Sequence, residues 1–259
     1  VDAELLAGYI LGLNRGEVQA AMIAGLELNE DQAKQFTELA ARRYAREPLQ
    51  HLTGVAYFRQ LELGVGKGVF IPRPETEVVA QIAIDVLRAS DLEQPIAVDL
   101  GTGSGAIALS MHVEVPAAQV YAIEKSEQAF EFTKRNFEKY PGAELVLGDL
   151  SDAFNALNGS ASVVISNPPY IPAAMIPVDP EVHLHEPSLA LYGGEDGLDV
   201  IRVLSVVAKR LLLDGGMLVI EHADTQSQMV CELLLAEGWR DVRAYQDLSG
   251  KDRAVSAIY

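Results

Sequence analysis

From residue 96 onward, short β-prone apolar segments alternate with longer segments of helical periodicity. The β-prone segments are residues 96–100, 119–123, 144–147 and 162–166, and helical patterns lie between the first three of them. Alternation of this kind is typical of a parallel sheet covered by helices, because each return to the sheet requires a crossover. The pattern therefore predicts an α/β fold.

The same rhythm continues to the last residues, where its character changes. A helix is predicted near residues 198–213, a strand at 217–221 and a helix near 225–237, followed by strands near 240–246 and 254–259. Only a short connection containing Asp and Gly separates the final two strands, which favours an antiparallel pair. The predicted fold is a Rossmann-like, mostly parallel sheet with an antiparallel closing strand.

The first 90 residues have a different organisation. Helical spacing of apolar residues predicts three short helices between residue 2 and about residue 46. Between residues 55 and 71 the residues become alternating and β-prone, which predicts a hairpin turning at 64–68. After Pro74, a further helix is predicted at 75–89, with acidic residues in its first turn.

Composition and charge limit the classes of function. The longest apolar runs fall far short of the roughly 20 residues that a membrane span needs. Cys231 is the only cysteine, so neither a disulfide within the chain nor a cysteine metal cluster can form, as suits a reducing cytoplasm. The net charge of −17 at pH 7 disfavours nucleic-acid binding. The acidic excess follows Ile71, either as a solvated surface or as a face for a basic protein partner.

Residues 99–105 form a glycine loop between the first predicted strand of the α/β region and the helix that follows. Glycines let the backbone approach a ligand closely, and the helix N-terminus offers unpaired N–H groups. The spacing of Gly101, Gly103 and Gly105 differs from the Gly-x-Gly-x-x-Gly of dinucleotide binders. The loop therefore indicates a ligand without phosphates.

Acidic residues end the next two strands. Glu124 can accept hydrogen bonds from both hydroxyls of a ribose. Asp149 follows Gly148 and can accept from an adenine amino group, with Leu150 against the ring. The carboxyl ends of parallel strands meet at one edge of a sheet, where open α/β folds bind ligands.

The strand at 162–166 runs directly into Asn167-Pro168-Pro169-Tyr170. Two prolines fix the backbone and remove two N–H donors, so the loop presents acceptors. The Asn167 side-chain oxygen and the Pro168 carbonyl can hold the two N–H bonds of a planar nitrogen, while Tyr170 packs on its flat face. Such a site orients a weak nucleophile and needs no strong base.

Together these motifs resemble the class I methyltransferases that methylate amino groups. Further segments resemble the release factor glutamine methyltransferase family, and the similarity covers nearly the whole chain. These segments are residues 47–54, 70–77, 181–187 and 190–198.

The resemblance implies a cofactor, a substrate and a set of site residues. The cofactor is S-adenosyl-L-methionine, and the substrate is the glutamine of the Gly-Gly-Gln motif in class 1 peptide chain release factors, methylated at N5 in the cytoplasm. Asn167, Pro168 and Tyr170 are then catalytic, and with Pro169 they bind the glutamine. The cofactor-binding residues are Asp99, Leu100, Gly101, Thr102, Gly103, Glu124, Asp149, Leu150 and Asn167.

The resemblance also suggests a division of the chain. Residues 1–54 form a helical domain for substrate recognition, residues 55–72 a β-hairpin linker, and residues 73–259 the catalytic domain. The protein is expected to be a monomer. Two residues depart from the family pattern: Glu124 replaces a common Asp, and Leu150 replaces a frequent aromatic.

Other readings remain. A ribosomal-protein glutamine methyltransferase would share both fold and chemistry. An adenine-N6 DNA methyltransferase would share the chemistry, but the acidic charge and the absence of a basic target-reading segment disfavour it. His183 and His185 have a spacing seen in metal sites, although no metal is expected here. Arg73, Glu75 and Glu77 either begin a helix or cover the cofactor, and the role of 221–224 is left open.

Overall fold

The computed structural model of the chain describes residues 1–259. No helix in it combines the length and the apolar character that crossing a membrane requires. In chain order the elements are α1 (Asp2–Leu11), α2 (Arg15–Ile23), α3 (Glu30–Tyr44), α4 (Leu49–Thr53), β1 (Val55–Phe58), β2 (Leu61–Gly64), α5 (Thr76–Arg88), β3 (Ile96–Leu100), α6 (Ala106–Glu114), β4 (Gln119–Glu124), α7 (Glu127–Lys139), β5 (Glu144–Leu147), β6 (Ala161–Ser166), α8 (Pro180–His185), α9 (Asp199–Leu211), β7 (Leu212–Glu221), α10 (Ser227–Ala236), β8 (Arg240–Gln246) and β9 (Asp252–Ile258).

Seven strands form the central sheet in the order β5-β4-β3-β6-β7-β9-β8. The first five run parallel to one another, and β9 is antiparallel to both of its neighbours. Every residue of β6 is buried, as expected for a strand covered on both faces. The predicted α/β class, with its antiparallel closing strand, is confirmed.

Helices cover both faces of this sheet. Apolar residues of α5 and α6, with Phe137 of α7, pack on one face together with β2. Apolar residues of α9 and α10 pack on the other face, where Trp239 is also buried. The two cores hold the parallel strands rigidly, so the loops at their carboxyl ends have fixed positions.

Helices α1 to α4 form a separate cluster with a small core. Leu6, Leu39 and Leu52 are its buried residues. Asn14 and Asn29 precede α2 and α3 and form capping boxes. In each box the Asn side chain accepts from the backbone N–H of the third helical residue, and the Asn backbone N–H donates to the side chain of that residue. The three helices predicted between residue 2 and residue 46 are confirmed.

The hairpin exists, but the predicted turn at 64–68 is wrong. The chain turns instead at Arg59, which has a positive φ of 51° and whose guanidinium Nε donates to Glu114 at 2.5 Å. Residues 64–68 pass close to α7, where a Cβ on Gly66 would lie 2.6 Å from Phe132. Val69 and Ile71 are buried and Phe70 is half-buried, but none of the three lies in a strand. A tertiary ion pair, rather than glycine, places the turn.

Candidate active site

A cavity of about 390 Å³ opens at the carboxyl ends of β3, β4, β5 and β6. This is the edge at which open α/β sheets bind ligands, and the volume lies in the range of small-molecule sites. Eleven of the twelve predicted site residues line it, and Asp99 does not. The lining residues among them are Leu100, Gly101, Thr102, Gly103, Glu124, Asp149, Leu150, Asn167, Pro168, Pro169 and Tyr170.

Asp99 lies beneath the glycine loop with its carboxylate wholly shielded from solvent. Its Oδ2 accepts from the Thr102 hydroxyl at 2.6 Å and from the Ala108 N–H at 3.2 Å. Burial raises the pKa of Asp99 to about 7. The expected direct contact between Asp99 and the cofactor is therefore not what the geometry provides, because the side chain points into the protein and supports the loop.

The glycine loop depends on backbone conformations that other residues rarely adopt. Gly101, Gly103 and Gly105 have φ values of 80°, 58° and 86°, all in the left-handed region. A Cβ on Gly105 would also lie 2.8 Å from the ring of Phe137. The loop can therefore curl over the cavity while α6 begins directly behind it.

Glu124 ends β4 and is held in place by two backbone groups. Its Oε2 accepts from the Gly103 N–H at 2.8 Å, and its Oε1 accepts from the Ser126 N–H at 2.7 Å. An ionised carboxylate has about four acceptor positions, so two remain for a ligand. The side chain is thus oriented before binding and can accept two further hydrogen bonds, as from the hydroxyls of a ribose.

Asp149 shares the cavity rim with Lys125. The Lys125 ammonium lies 2.8 Å from Asp149 Oδ2, while Oδ1 accepts from the N–H and the hydroxyl of Ser151. These hydrogen bonds lower the pKa of Asp149 to about 2. Lys125 is the only basic side chain that lines the cavity, and it is paired. The site therefore suits a ligand without phosphates.

The loop that follows β6 presents acceptors to the cavity. Ser166 anchors its start by donating to the Leu100 carbonyl at 2.5 Å. The Asn167 amide nitrogen lies 3.4 Å from the Thr76 hydroxyl, which turns the Oδ1 of Asn167 away from Thr76. The Pro168 carbonyl accepts no hydrogen bond from the chain. Two oxygens are thus available to N–H groups of a ligand.

Close backbone packing holds this loop from behind. A Cβ on Gly193 would overlap the Pro169 carbonyl oxygen, and one on Gly197 would overlap that of Tyr170. The Gln226 amide donates to the Tyr170 carbonyl at 2.9 Å. The acceptors therefore have little freedom to move, as catalysis by orientation requires.

Several cavity residues were not singled out from the sequence. Phe70 and Pro72 reach the cavity from the segment before α5, and Thr76 reaches it from the first residue of that helix. Pro187 and Leu189 reach it from the segment after α8. Helical and strand periodicity carries no signal for such contacts, because they join parts of the chain that are more than a hundred residues apart.

Arg73, which precedes α5, and Glu77, in its first turn, have different roles. Arg73 pairs with the buried Glu186 at 2.9 Å, and Glu186 also accepts from the Ile71 N–H at 3.3 Å. Burial raises the pKa of Glu186 to about 7. Glu77 instead accepts from the Arg59 N–H at the hairpin turn. Arg73 thus ties residues 171–191, the covering segment that contributes Ile171, Pro187 and Leu189 to the cavity wall, to the residues that precede α5. Glu77 lies outside the cavity.

The strand order, the glycine loop and the ribose-type carboxylate define a class I S-adenosyl-L-methionine-dependent methyltransferase. The family model described as "Methyltransferase small domain" matches residues 60–176. The catalytic domain of hMettl16, bound to an RNA hairpin in its solved structure, aligns with a TM-score of 0.59 at 13% identity. The alignment covers 76% of this chain and 75% of that one, and it reflects a shared fold.

The front of the chain narrows the class to one family. Residues 1–54 match the model described as "PrmC N-terminal domain". The chain is 50% identical to the release factor glutamine methyltransferase of Streptomyces coelicolor, over 99% of its own length and 89% of the relative's. It is 38% identical to the 4-amino-L-phenylalanine/4-methylamino-L-phenylalanine methyltransferase of Streptomyces pristinaespiralis, over 92% and 80%. The chain belongs to the release factor glutamine methyltransferase family.

Proposed function

We propose that this chain methylates the N5 side-chain nitrogen of the glutamine in the Gly-Gly-Gln motif of a class 1 peptide chain release factor. The observation that carries the proposal is the pair of acceptors, Asn167 Oδ1 and the Pro168 carbonyl, at the inner end of the cofactor cavity. A primary amide has two N–H groups, so one acceptor can hold each. Translation termination takes place in the cytoplasm, where this substrate would be met.

The residues of the loop act by orientation. The lone pair of an amide nitrogen is delocalised, so the nitrogen attacks only when its plane is held against the electrophile. When bound, S-adenosyl-L-methionine supplies a methyl group activated by its sulfonium. Asn167 and Pro168 fix the amide plane and stabilise the positive charge that develops on the nitrogen. Transfer replaces one N–H hydrogen by methyl and releases one proton.

Tyr170 contributes a flat, neutral surface. Its side chain is half-buried, and burial raises the pKa of its hydroxyl well above the ordinary value. The ring therefore stays uncharged at physiological pH and can pack on the face of the amide without adding an anion. This supports a role in positioning rather than in proton abstraction.

The same geometry supports the roles that we propose for the cofactor-binding residues. Glu124 would accept hydrogen bonds from the ribose hydroxyls, and the backbone atoms of the glycine loop would contact the cofactor directly. Asp149 and Leu150 would flank the adenine, with Lys125 orienting the Asp149 carboxylate. Asp99 would act on the cofactor only through the loop that it supports.

We propose that residues 1–54 recognise the protein substrate, that residues 55–72 connect the two regions, and that residues 73–259 bind the cofactor and catalyse the transfer. Arg43 of α3 and Arg46, two residues beyond its end, pair with Glu181 at 2.8 Å and 3.1 Å. Glu181 belongs to the covering segment, which also exposes the apolar side chains of Met175, Ile176 and Val178. A protein substrate would contact both the helices and these apolar side chains.

A second candidate is an arylamine substrate. One relative is named as a methyltransferase of 4-amino-L-phenylalanine, and an arylamine also presents two N–H groups on a planar nitrogen. The same acceptor pair would serve both. The two candidates differ in the rest of the substrate, because only a protein is large enough to contact the helices of residues 1–54 as well as the cavity.

The test is transfer of labelled methyl from S-adenosyl-L-methionine in parallel reactions. The acceptors are a release factor, the same factor with its Gly-Gly-Gln glutamine changed to alanine, a ribosomal protein fraction, duplex DNA and 4-amino-L-phenylalanine. We expect label in the release factor alone and none in its alanine variant. Efficient labelling of the ribosomal fraction, of DNA or of the free amino acid, with none in the release factor, would overturn the proposal.

A further inference from the structure

Glu221 ends β7 in a position that the sequence left without a role. Strands β6 and β7 are paired with Ser166 opposite Ile220, so Asn167 and Glu221 follow at adjacent strand ends. Glu221 is only 1% exposed. A carboxyl group is rarely buried to this degree without a partner, because removal from water costs free energy.

The partners of Glu221 belong to the active site. Burial raises the pKa of Glu221 to about 7, while the neighbouring Thr76, Arg253 and Asn167 favour its ionised form. Arg253 is itself paired with Asp247 at 3.2 Å. Oε2 of Glu221 has no hydrogen-bond partner. When it is ionised, the group therefore presents acceptor oxygens only, beside an Asn167 amide nitrogen that lies 3.4 Å from the Thr76 hydroxyl.

This arrangement bears on which end of the Asn167 amide meets the substrate. A carboxamide has an acceptor end and a donor end of nearly equal size, and it can occupy a site in two orientations related by a flip. With the NH₂ group towards Glu221 and Thr76, Oδ1 is directed away from them. With Glu221 ionised, the flipped orientation would bring two acceptor oxygens face to face in a buried site, which is unfavourable.

We infer that Glu221 is a positioning residue that selects the orientation of the Asn167 amide in which Oδ1 is presented to the reacting nitrogen. Thr76 assists it from the start of α5. The inference rests on the proposed function, since it concerns the acceptor that this function assigns to Asn167. Glu221 itself does not line the cavity, so it acts through Asn167.

The first experiment reverses the polarity of the pair. Glu221→Gln retains size but adds a donor, which allows the amide of Asn167 to flip and present its NH₂ group to the substrate. We expect the single-turnover rate of methyl transfer to fall roughly 10- to 100-fold. The affinity for S-adenosyl-L-methionine and the KM for the release factor should stay within about twofold of wild type.

The second variant tests rescue. In the double variant Glu221→Gln, Asn167→Asp, the new amide can donate to a carboxylate that has acceptors on both sides, so no orientation is wrong. We expect the double variant to be faster than Glu221→Gln alone, and Asn167→Asp alone to be slow because two carboxyl groups would meet. A double variant slower than both single variants would overturn the inference, since a purely structural role predicts added damage.

A third measurement does not depend on activity, so it separates this inference from the proposed function. In ¹⁵N-labelled protein, the side-chain NH₂ of Asn167, assigned with Asn167→Ala, should exchange slowly with solvent. Glu221→Ala should accelerate that exchange at least tenfold. The NH₂ of Asn136, which donates to the Gly64 and Ser104 carbonyls, is the internal control and should not change.

The outcomes are distinct. If wild type labels no release factor but the Asn167 amide loses protection in Glu221→Ala, the proposed function fails and the inference stands. If protection is unchanged in a folded Glu221→Ala, the inference fails whatever the substrate. Should both Glu221 variants fail to fold, Thr76→Val decides: it removes one partner of the Asn167 amide, and an unchanged transfer rate and unchanged exchange would reject the inference.

Discussion

The helical region at the front of the chain and the sheet that follows it are stabilised to different degrees. Helices α1 to α4 bury Leu6, Leu39 and Leu52 and little else, while the sheet has extensive apolar cores on both faces. The helical region also exposes large apolar side chains, among them Ile23 at 90% and Tyr44 at 91%. Exposed apolar groups on a weakly packed element are typical of a surface that binds a partner.

The difference indicates that the two regions can be perturbed separately. They meet through α4 and β1 and through the ion pairs of Arg43 and Arg46 with the covering segment. All of the cofactor cavity belongs to the sheet and the segments around it. Changes in the helices should therefore alter protein-substrate binding, and changes at the strand ends should alter cofactor binding and chemistry.

Expressed as a free energy, the largest effect is expected for the stability change of Leu6→Ala, which removes a buried side chain from the small helical core. Such changes cost about 2–5 kcal/mol, enough to open α1 and its neighbours locally. Hydrogen exchange in α1 and α3 should accelerate, and the KM for the release factor should rise by roughly tenfold or more, with unchanged cofactor affinity by calorimetry. Tyr9→Ala, on the same helix but exposed, is the control. A parallel loss of cofactor affinity would mean that the two regions are one cooperative unit.

Asn167→Ala should have the next largest effect, chiefly on the methyl-transfer step and less on cofactor binding. Loss of one oriented acceptor costs about 3 kcal/mol, or on the order of 100-fold in rate. The measurement is single-turnover transfer at saturating release factor, with thermal unfolding and cofactor binding checked beside it. A near-normal rate would show that the acceptor mechanism is wrong even with the family assignment intact.

Glu124→Ala should weaken binding of S-adenosyl-L-methionine by about 1–3 kcal/mol, because hydrogen bonds to a charged group are lost. The carboxylate also accepts from Gly103 and Ser126, so the loop should become more mobile. Glu127→Gln, in the exposed first turn of α7, is the matched control and should leave affinity unchanged. Calorimetry with equal dissociation constants for wild type and a folded Glu124→Ala would reject the ribose role.

The smallest effect is expected for Arg43→Ala, which removes the partner of Glu181 and Asp2. Ion pairs that remain partly open to solvent contribute about 1 kcal/mol, so the KM for the release factor should rise only a few-fold. The difference from wild type should shrink at high salt. Arg42→Ala, whose partner Glu47 also lies in the helical region, should not affect KM. An equal effect of both variants would indicate a general charge effect.

Local patterns in the sequence were sufficient to predict the sheet and the strand-end residues of the site. Alternating periodicity located β3, β4, β5 and β6, and parallel strands bring their carboxyl ends together. This is why Glu124, Asp149 and Asn167 could be grouped in advance.

Long-range contacts were beyond local patterns. The hairpin turn is placed by the contact of Arg59 with Glu114, and Glu221 meets Thr76 and Asn167 from distant parts of the chain. Asp99 shows a different limit, because its motif marks the loop correctly but does not reveal that the carboxylate points inward. Side-chain direction at a strand end depends on the tertiary packing around it.

Strand β9 enters the sheet between β7 and β8, both of which precede it in the chain. The β8–β9 hairpin can form early, because its turn is closed locally by Asp247 and Lys251. Until that hairpin docks, β7 has an open edge and Glu221 is in contact with water. During refolding, the parallel strands can therefore be paired while Glu221, which lies beside Asn167, is still in contact with solvent. Competence for methyl transfer should thus appear later than native secondary structure, as a separate kinetic event.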